Sequence, residues 1–225
     1  MTLLTAAQGY GLWAQTYERE TAITLIEQGM VAAMTPPLAS RRLLDAGCGT
    51  GRRLRGIAAR SAVGIEASAE MIRAGSAQGA WPDTVQIVEG DVRALPLVSA
   101  QFDIVWCRLV IGHLADCRPA YAELARVAAP GARLVVTDFH PHAYEAGHRR
   151  TFRHEDRVFE IEHHVHGAGA QCDAAAATGL DLVEVREGTI GPQVRALYEE
   201  AGKLDLYEAS YGLPVVLALS FRRPD

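Results

Sequence analysis

No stretch of this sequence approaches the roughly 18 uninterrupted apolar residues of a membrane-spanning helix, so no span is expected. Met1 to Gln8 lack the basic start and apolar run of a signal peptide. Cysteine is scarce. Cys48, Cys107, Cys117 and Cys172 are scattered without CxxC spacing, which disfavours a disulfide framework and suits a reduced, cytoplasmic chain. There is no excess of positive charge either: the net charge is −5, whereas a protein that grips duplex nucleic acid needs a basic footprint. Repeats, low-complexity tracts and linkers are also missing. What remains is 225 residues, 49% hydrophobic and 22% charged, enough for one domain (residues 1–225) with a sizeable core.

What is present is organised around Leu43-Leu44-Asp45-Ala46-Gly47-Cys48-Gly49-Thr50-Gly51. A short apolar run meets an acid and three glycines, which reads as strand, tight turn and helix start. Strands are expected at 42–46, 62–65, 85–88, 102–107, 133–137, 180–185 and 214–221. Between them lie helical stripes such as Leu54, Ile57 and Ala58, or Ala120, Leu124 and Val127. Alternation at this spacing predicts a doubly wound α/β domain with a mostly parallel sheet. Ahead of it, residues from about Tyr10 to Met34 read as one helix. There Tyr10, Trp13 and Tyr17 either pack that helix on the core or cover a ligand. After 133–137 the alternation breaks, and residues 151–166 predict an inserted β-hairpin. Phe159, Ile161, His163 and Val165 then share one strand face, and His164 and His166 the other. Gln193 to Leu204 reads as a helical insertion.

The glycine turn is not a dinucleotide turn, because Arg52 stands where the third glycine of GxGxxG belongs. Asp45, two residues before Gly47, suits a cationic amino group better than a diphosphate. Glu66, ending the next strand, is placed to accept hydrogen bonds from two ribose hydroxyls, and Asp91 from an exocyclic amine. Three acids at successive strand ends, with no phosphate clamp, describe a positively charged nucleoside with an amino-acid tail.

In these residues the chain resembles the class I S-adenosylmethionine-dependent methyltransferases, nearest to the ubiquinone/menaquinone-biosynthesis type and its small-molecule relatives. The likeness rests on Leu44 to Gly51, Val63 to Ser68, Glu89 to Pro96, Phe102 to Val105, and Leu124 to Val127 with Pro130-Gly131. It implies S-adenosyl-L-methionine as cofactor and a Rossmann-like seven-stranded sheet, its last strand antiparallel. It further implies that Gly47 and Gly49, with Cys48, lie against the methionine part and that Glu66, with Ala67 and Met71 beside it, holds the ribose. Asp91 and Val92 would read the adenine, Arg108 would line the reactive side, and Tyr17 would cover the cofactor. Glu66 stands where many relatives carry Asp, which performs the same chelation. Residues 1–40 then form an N-terminal helical cap, and 142–169 and 191–211 acceptor-side inserts.

Methyl transfer from a sulfonium depends more on positioning than on a base: orientation supplies roughly 7–11 kcal/mol, a general base about 3–5. A base matters when the acceptor is a hydroxyl or a carbon acid. The candidates are His113, Asp138 and His140, where the first two match positions given this role in relatives that methylate hydroxyls. The alternative for His113 is a helix cap or buttress. Seven of eight histidines fall between His140 and His166. No thiol lies among them, which counts against a structural metal site; lining an acceptor pocket is the other use, with His163 the foremost candidate. A small-molecule acceptor methylated at oxygen is the leading expectation. Carbon or nitrogen acceptors, and a cofactor-binding partner subunit without turnover, remain alternatives. The Asn/Asp-Pro-Pro-Tyr/Phe signature of adenine or glutamine N-methyltransferases is absent where Cys107-Arg108-Leu109-Val110 stands.

Overall fold

Leu43 and Leu44 are adjacent, face opposite sides of their strand and are both sealed from solvent, so that strand is covered on two sides. The structure, a computed structural model, describes residues 2–225. Its strands are β1 (Thr2–Leu4), β2 (Arg42–Ala46), β3 (Ser61–Glu66), β4 (Val85–Glu89), β5 (Phe102–Arg108), β6 (Ala128–Phe139), β7 (Thr151–His154), β8 (Arg157–Ile161), β9 (Asp181–Thr189) and β10 (Pro214–Arg222). Seven form one sheet in the order β4-β3-β2-β5-β6-β10-β9, parallel throughout except for β10, which runs antiparallel to both neighbours. Strand order reverses between β2 and β5, and the crevice past their carboxyl ends is where such a sheet takes a ligand.

The helices are α1 (Ala6–Trp13), α2 (Ala22–Met34), α3 (Ala69–Ala77), α4 (Arg118–Val127), α5 (Pro141–Glu145), α6 (Ala168–Ala176), α7 (Arg195–Glu200) and α8 (Leu204–Ser210). One sheet face packs Leu44, Val105, Leu134 and Leu219 under α4, whose Tyr121 and Leu124 are fully buried. The other packs Leu43, Ile104 and Val135 against Val31 and Met34 of α2. Among the described residues no helix is long and apolar enough to cross a membrane.

The expected hairpin forms: β7 pairs antiparallel with β8, and the terminal β1 adds to β8 in parallel, making a separate three-stranded sheet. Four local expectations are corrected. The helix read over 10–34 is two helices, because Thr21 caps α2 in a reciprocal box with Thr24 while Glu18 and Glu20 turn out to meet Arg52, Arg53 and Arg55. The chain after the glycine turn makes a single 3₁₀ turn, Arg52–Leu54, rather than a helix, and its Arg52 and Arg53 meet Glu20. Strand β8 ends at Ile161: the Glu162 N–H makes the last ladder bond, to the Leu4 carbonyl, and the His164 N–H then leaves the sheet for the Gly112 carbonyl, each at 2.8 Å. His163, His164 and His166 therefore lie on no strand face. Residues 192–210 split into a 3₁₀ turn, α7 and α8 around Gly202, which has a positive φ of 65°.

Helix α2 is fixed to the sheet by charge as well as by packing. Arg108 at the end of β5 donates through Nε and Nη2 to both oxygens of Glu27, at 2.8 and 2.5 Å, and Thr137 Oγ1 donates to the same carboxylate at 3.0 Å. Glu27 is 2% and Arg108 9% exposed. Removing one partner leaves the other charge buried, so Glu27→Ala is expected to cost roughly 3–5 kcal/mol in urea unfolding, with part regained when Arg108→Met is added. A second test concerns glycines. A Cβ on Gly75 of α3 would lie 2.2 Å from the Thr50 carbonyl oxygen, whereas one on Gly29 of α2 meets nothing within 4 Å. Gly75→Ala should destabilise by about 1–3 kcal/mol, and Gly29→Ala should stabilise by about 0.5–1 kcal/mol. Equal effects would contradict the close approach of α3 to the turn.

Candidate active site

The turn after β2 has no room for a side chain at Gly47 or Gly49. Gly47 has φ 82°, and a Cβ there would lie 2.2 Å from Val110 Cγ2; at Gly49, with φ 62°, it would press on Met71 and Tyr17. Gly47 and Cys48 N–H groups both donate to the Ile65 carbonyl, which ties the turn to β3. The Gly49 N–H donates to Glu66 Oε2 and the Ser68 N–H to Oε1, each at 2.9 Å. Burial raises the Glu66 pKa and these backbone donors pull against it. Each carboxylate oxygen has accepted one bond and keeps a lone pair for another.

A cavity of about 310 Å³ opens past these strand ends, within the range of small-molecule sites. The structure brings Tyr17, Gly47, Gly49, Glu66, Ala67, Met71, Asp91, Val92, Arg108 and His113 to its wall. A smaller recess of about 40 Å³ shares Tyr17, Gly47 and Arg108 with it and is lined by Asp45 and Cys48. Asp45 is 2% exposed, and its Oδ1 has no hydrogen-bond partner. Burial raises its pKa to about 6 against the pull of Arg108. Asp91 is clamped by Arg93, which donates to it from Nε, Nη2 and the backbone, and this holds its carboxyl below the usual range.

Aromatic rings roof the cavity. Tyr10, Trp13 and Tyr17 pack together, and Trp13 stacks on Phe152 of the hairpin with ring centroids 5.2 Å apart. Tyr10 and Tyr17 therefore pack the N-terminal segment and line the cavity at once, while Trp13 ties them to the hairpin. His113 stands at the far wall. Its Nε2 lies 2.9 Å from Tyr10 Oη and 2.5 Å from Arg150 Nη1, and its Nδ1 is buried beside the Glu162 carbonyl without a well-formed bond. Burial, then the Arg150 charge, hold its pKa well below the ordinary value.

The other candidates lie outside both cavities. Asp138 is fully buried, with Oδ1 accepting from Phe139 N–H and Oδ2 unpaired; burial raises its pKa to about 6. His163 sits across Gly112 from it, and a Cβ on Gly112 would lie 2.5 Å from His163 Nδ1 and 2.8 Å from Asp138 Oδ1. Neither His163 nitrogen has a partner, and burial lowers its pKa to about 3. His140 is turned elsewhere: Nδ1 accepts from His142 N–H to cap α5, and Nε2 lies 3.2 Å from Glu187. Among the described residues no group of three or more His, Cys, Asp or Glu is placed to hold a metal ion.

Two features at the cavity carried no sequence signal. Leu109 lines the wall with φ 58°, a strained conformation for leucine, held by its N–H to the Thr137 carbonyl and by Arg150, which donates to its carbonyl at 2.9 Å. Arg150 belongs to no motif, and only the hairpin fold brings it to His113 from 37 residues away.

Comparison with known proteins agrees with this geometry. Residues 44–136 match the family described as "Methyltransferase domain". The chain is 35% identical over 127 residues to a probable chloroplastic tocopherol O-methyltransferase of Oryza sativa subsp. japonica, covering 52% of this chain and 35% of that one. It is 32% identical over 134 residues to a malonyl-[acyl-carrier protein] O-methyltransferase of Enterobacter lignolyticus, covering 58% and 52%. The chain thus spans about half or less of the length of these relatives. An S-adenosylmethionine-dependent methyltransferase structure from Mesorhizobium loti superposes with a TM-score of 0.68 at 22% identity, over 88% of this chain and 98% of that one. Over residues 44–136 the chain is thus similar to a methyltransferase domain, and its seven-stranded sheet shares the fold of the Mesorhizobium loti structure.

Proposed function

We propose that this chain transfers a methyl group from S-adenosylmethionine to an oxygen of a small-molecule metabolite. The observation that carries the reading is Asp45, a buried carboxylate with an unpaired oxygen at the recess beside Gly47. An orphaned buried acceptor is costly unless a ligand completes it, and the ammonium of an amino-acid tail is the matching donor. Glu66 keeps acceptor capacity for a ribose diol, and Val92 with the Asp91–Arg93 pair stands at the next strand end for the base. The cofactor bound there supplies an electrophilic methyl group on a sulfonium.

The chain's own contribution is orientation and exclusion of water. Gly47 and Gly49 let the backbone approach, and Tyr10 and Tyr17, backed by Trp13, close one side. That places most of the catalysis in positioning. The names of the two curated relatives support oxygen as the accepting atom. The net charge of −5 favours a small acceptor over nucleic acid. The N-terminal segment acts as the acceptor-side cap on one domain, and residues 142–169 brace it from behind through Phe152 on Trp13 and Arg150 on His113. Residues 191–211 instead pack Val194 and Tyr207 against Ile26 and Phe139, and line neither cavity.

Calorimetric titration with S-adenosylhomocysteine tests the reading. Asp45→Asn keeps the shape and removes the charge, so affinity should fall about 10- to 100-fold, as for loss of a charge-assisted hydrogen bond. The cation favours ionised Asp45, whose free pKa is about 6, so binding should tighten as pH rises through 6 and weaken up to about tenfold per unit below it. The sign for stability is opposite. The folded pKa lies above the ordinary 3.8, so ionised Asp45 costs stability, and that cost grows as pH rises from 4 through 6. Without ligand at pH 8, Asp45→Asn should therefore be more stable than the parent, by up to about 3 kcal/mol. A variant that binds as tightly and melts no higher would refute this role.

A further inference from the structure

One side chain that lines neither cavity holds three that do. Arg150 stands just before β7, and its Nη1 lies 2.5 Å from His113 Nε2, 2.9 Å from the Leu109 carbonyl and 3.1 Å from Tyr10 Oη. Those three residues come from separate stretches of chain: helix α1, the turn after β5, and the 3₁₀ turn that follows it. All three line the large cavity. The buried Asp138 acts on Arg150 as a counter-charge. A balanced, desolvated guanidinium thus ties the hairpin to the cavity wall without itself reaching the ligand.

The hydrogen bonds in this cluster can be assigned one by one. An arginine N–H only donates, so His113 Nε2 is the acceptor and the ring carries its proton on Nδ1, beside the Glu162 carbonyl. A second proton on the ring would set two cations 2.5 Å apart, with His163 and His164 also close, so the ring stays neutral. Burial acts in the same direction. The Tyr10 hydroxyl lies 2.9 Å from the same Nε2, but that single lone pair is already taken by a shorter, charge-assisted bond. Arg150 Nη1 also donates to Tyr10 Oη, which leaves the Tyr10 proton for the cavity that Tyr10 lines.

We infer that Arg150 is a positioning residue: it occupies the His113 Nε2 lone pair, which takes His113 out of use as a general base, and it leaves the Tyr10 O–H as the donor this wall offers the methyl acceptor. The inference rests on the methyl-transfer reading above. His113 is then the buttress between Arg150 and Tyr10. The acceptor that fits carries an oxygen or nitrogen lone pair, which receives the Tyr10 O–H as a hydrogen bond and so sets how the molecule faces the cofactor. An apolar group at that point would leave a part-buried hydroxyl unpaired, and the wall selects against it. Tyr10 keeps its proton throughout, because burial makes its ionisation harder.

The test uses the full chain, with and without S-adenosylhomocysteine, its histidines labelled for nitrogen magnetic resonance. The His113 signals, identified by their loss in His113→Gln, should report a neutral ring protonated on Nδ1 between about pH 5 and 8. A ring protonated on Nε2, or one that titrates near the ordinary value of about 6.5, would overturn the inference. Arg150→Met should let His113 take up a proton within that range, whereas Arg150→Lys, which keeps a charged donor, should hold it neutral. A ring that stays neutral in Arg150→Met, or titrates in both variants, would reduce Arg150 to a support for the hairpin and overturn the inference as well. In a second readout, methyl label passed from the cofactor into a low-mass cell extract should fall about three- to tenfold in Tyr10→Phe, the size of one hydrogen bond, while S-adenosylhomocysteine binds as in the parent. Undiminished transfer by Tyr10→Phe would overturn the role of its hydroxyl and leave methyl transfer intact. Failure of S-adenosylhomocysteine to bind the parent would instead remove the underlying reading, and this inference with it.

Discussion

The site depends on the backbone at Gly47 passing where no side chain fits. With a Cβ there driven into Val110, any other residue would push the turn away from the end of β5. The consequences run outward from that approach. The Gly47 and Cys48 N–H groups close onto β3, the Gly49 N–H reaches Glu66, and Asp45 is left beneath the turn with an oxygen facing a recess. Local conformation thus becomes a binding surface at the point where strand order reverses.

Around this turn the chain tolerates polar burial that its core avoids. The sheet faces are aliphatic and aromatic, and the buried pair Glu27–Arg108 is fully matched, with Thr137 donating to it. At the site, by contrast, Asp45 keeps an unpaired oxygen and Leu109 holds a left-handed backbone, and outside the cavities Asp138 keeps an unpaired oxygen and His163 two unpaired nitrogens. Such costs persist in a folded protein when the surrounding packing over-determines them, and they gather where a ligand completes the bonding. Stability and function pull in opposite directions at Asp45 for that reason.

What could be read from the sequence was what local chemistry determines. Two-sided burial of Leu43-Leu44, the glycine turn and acids at successive strand ends are short-range patterns, and the sheet follows from their alternation. The break between α1 and α2 was hidden because part of its cause lies about thirty residues away, in Arg52, Arg53 and Arg55. The histidine pattern after Ile161 looked like a strand because its period is two, but the chain leaves the sheet there and His164 bonds to Gly112 instead. Arg150 and the placement of His113 against it depend on how the hairpin docks, and no spacing along the chain records that. The turn, the acids at the strand ends and the Tyr10–Tyr17 segment are legible for this reason, and the docking of the hairpin against them is not.

In the proposed function, Asp45 and Glu66 together recognise a cationic amino acid joined to a nucleoside. A crystal structure of the complex with S-adenosylhomocysteine tests it most directly. The account predicts the amino group on Asp45 Oδ1 and both ribose hydroxyls on Glu66. A ligand that leaves Asp45 unpaired, or that lies with its ribose away from Glu66, would contradict it.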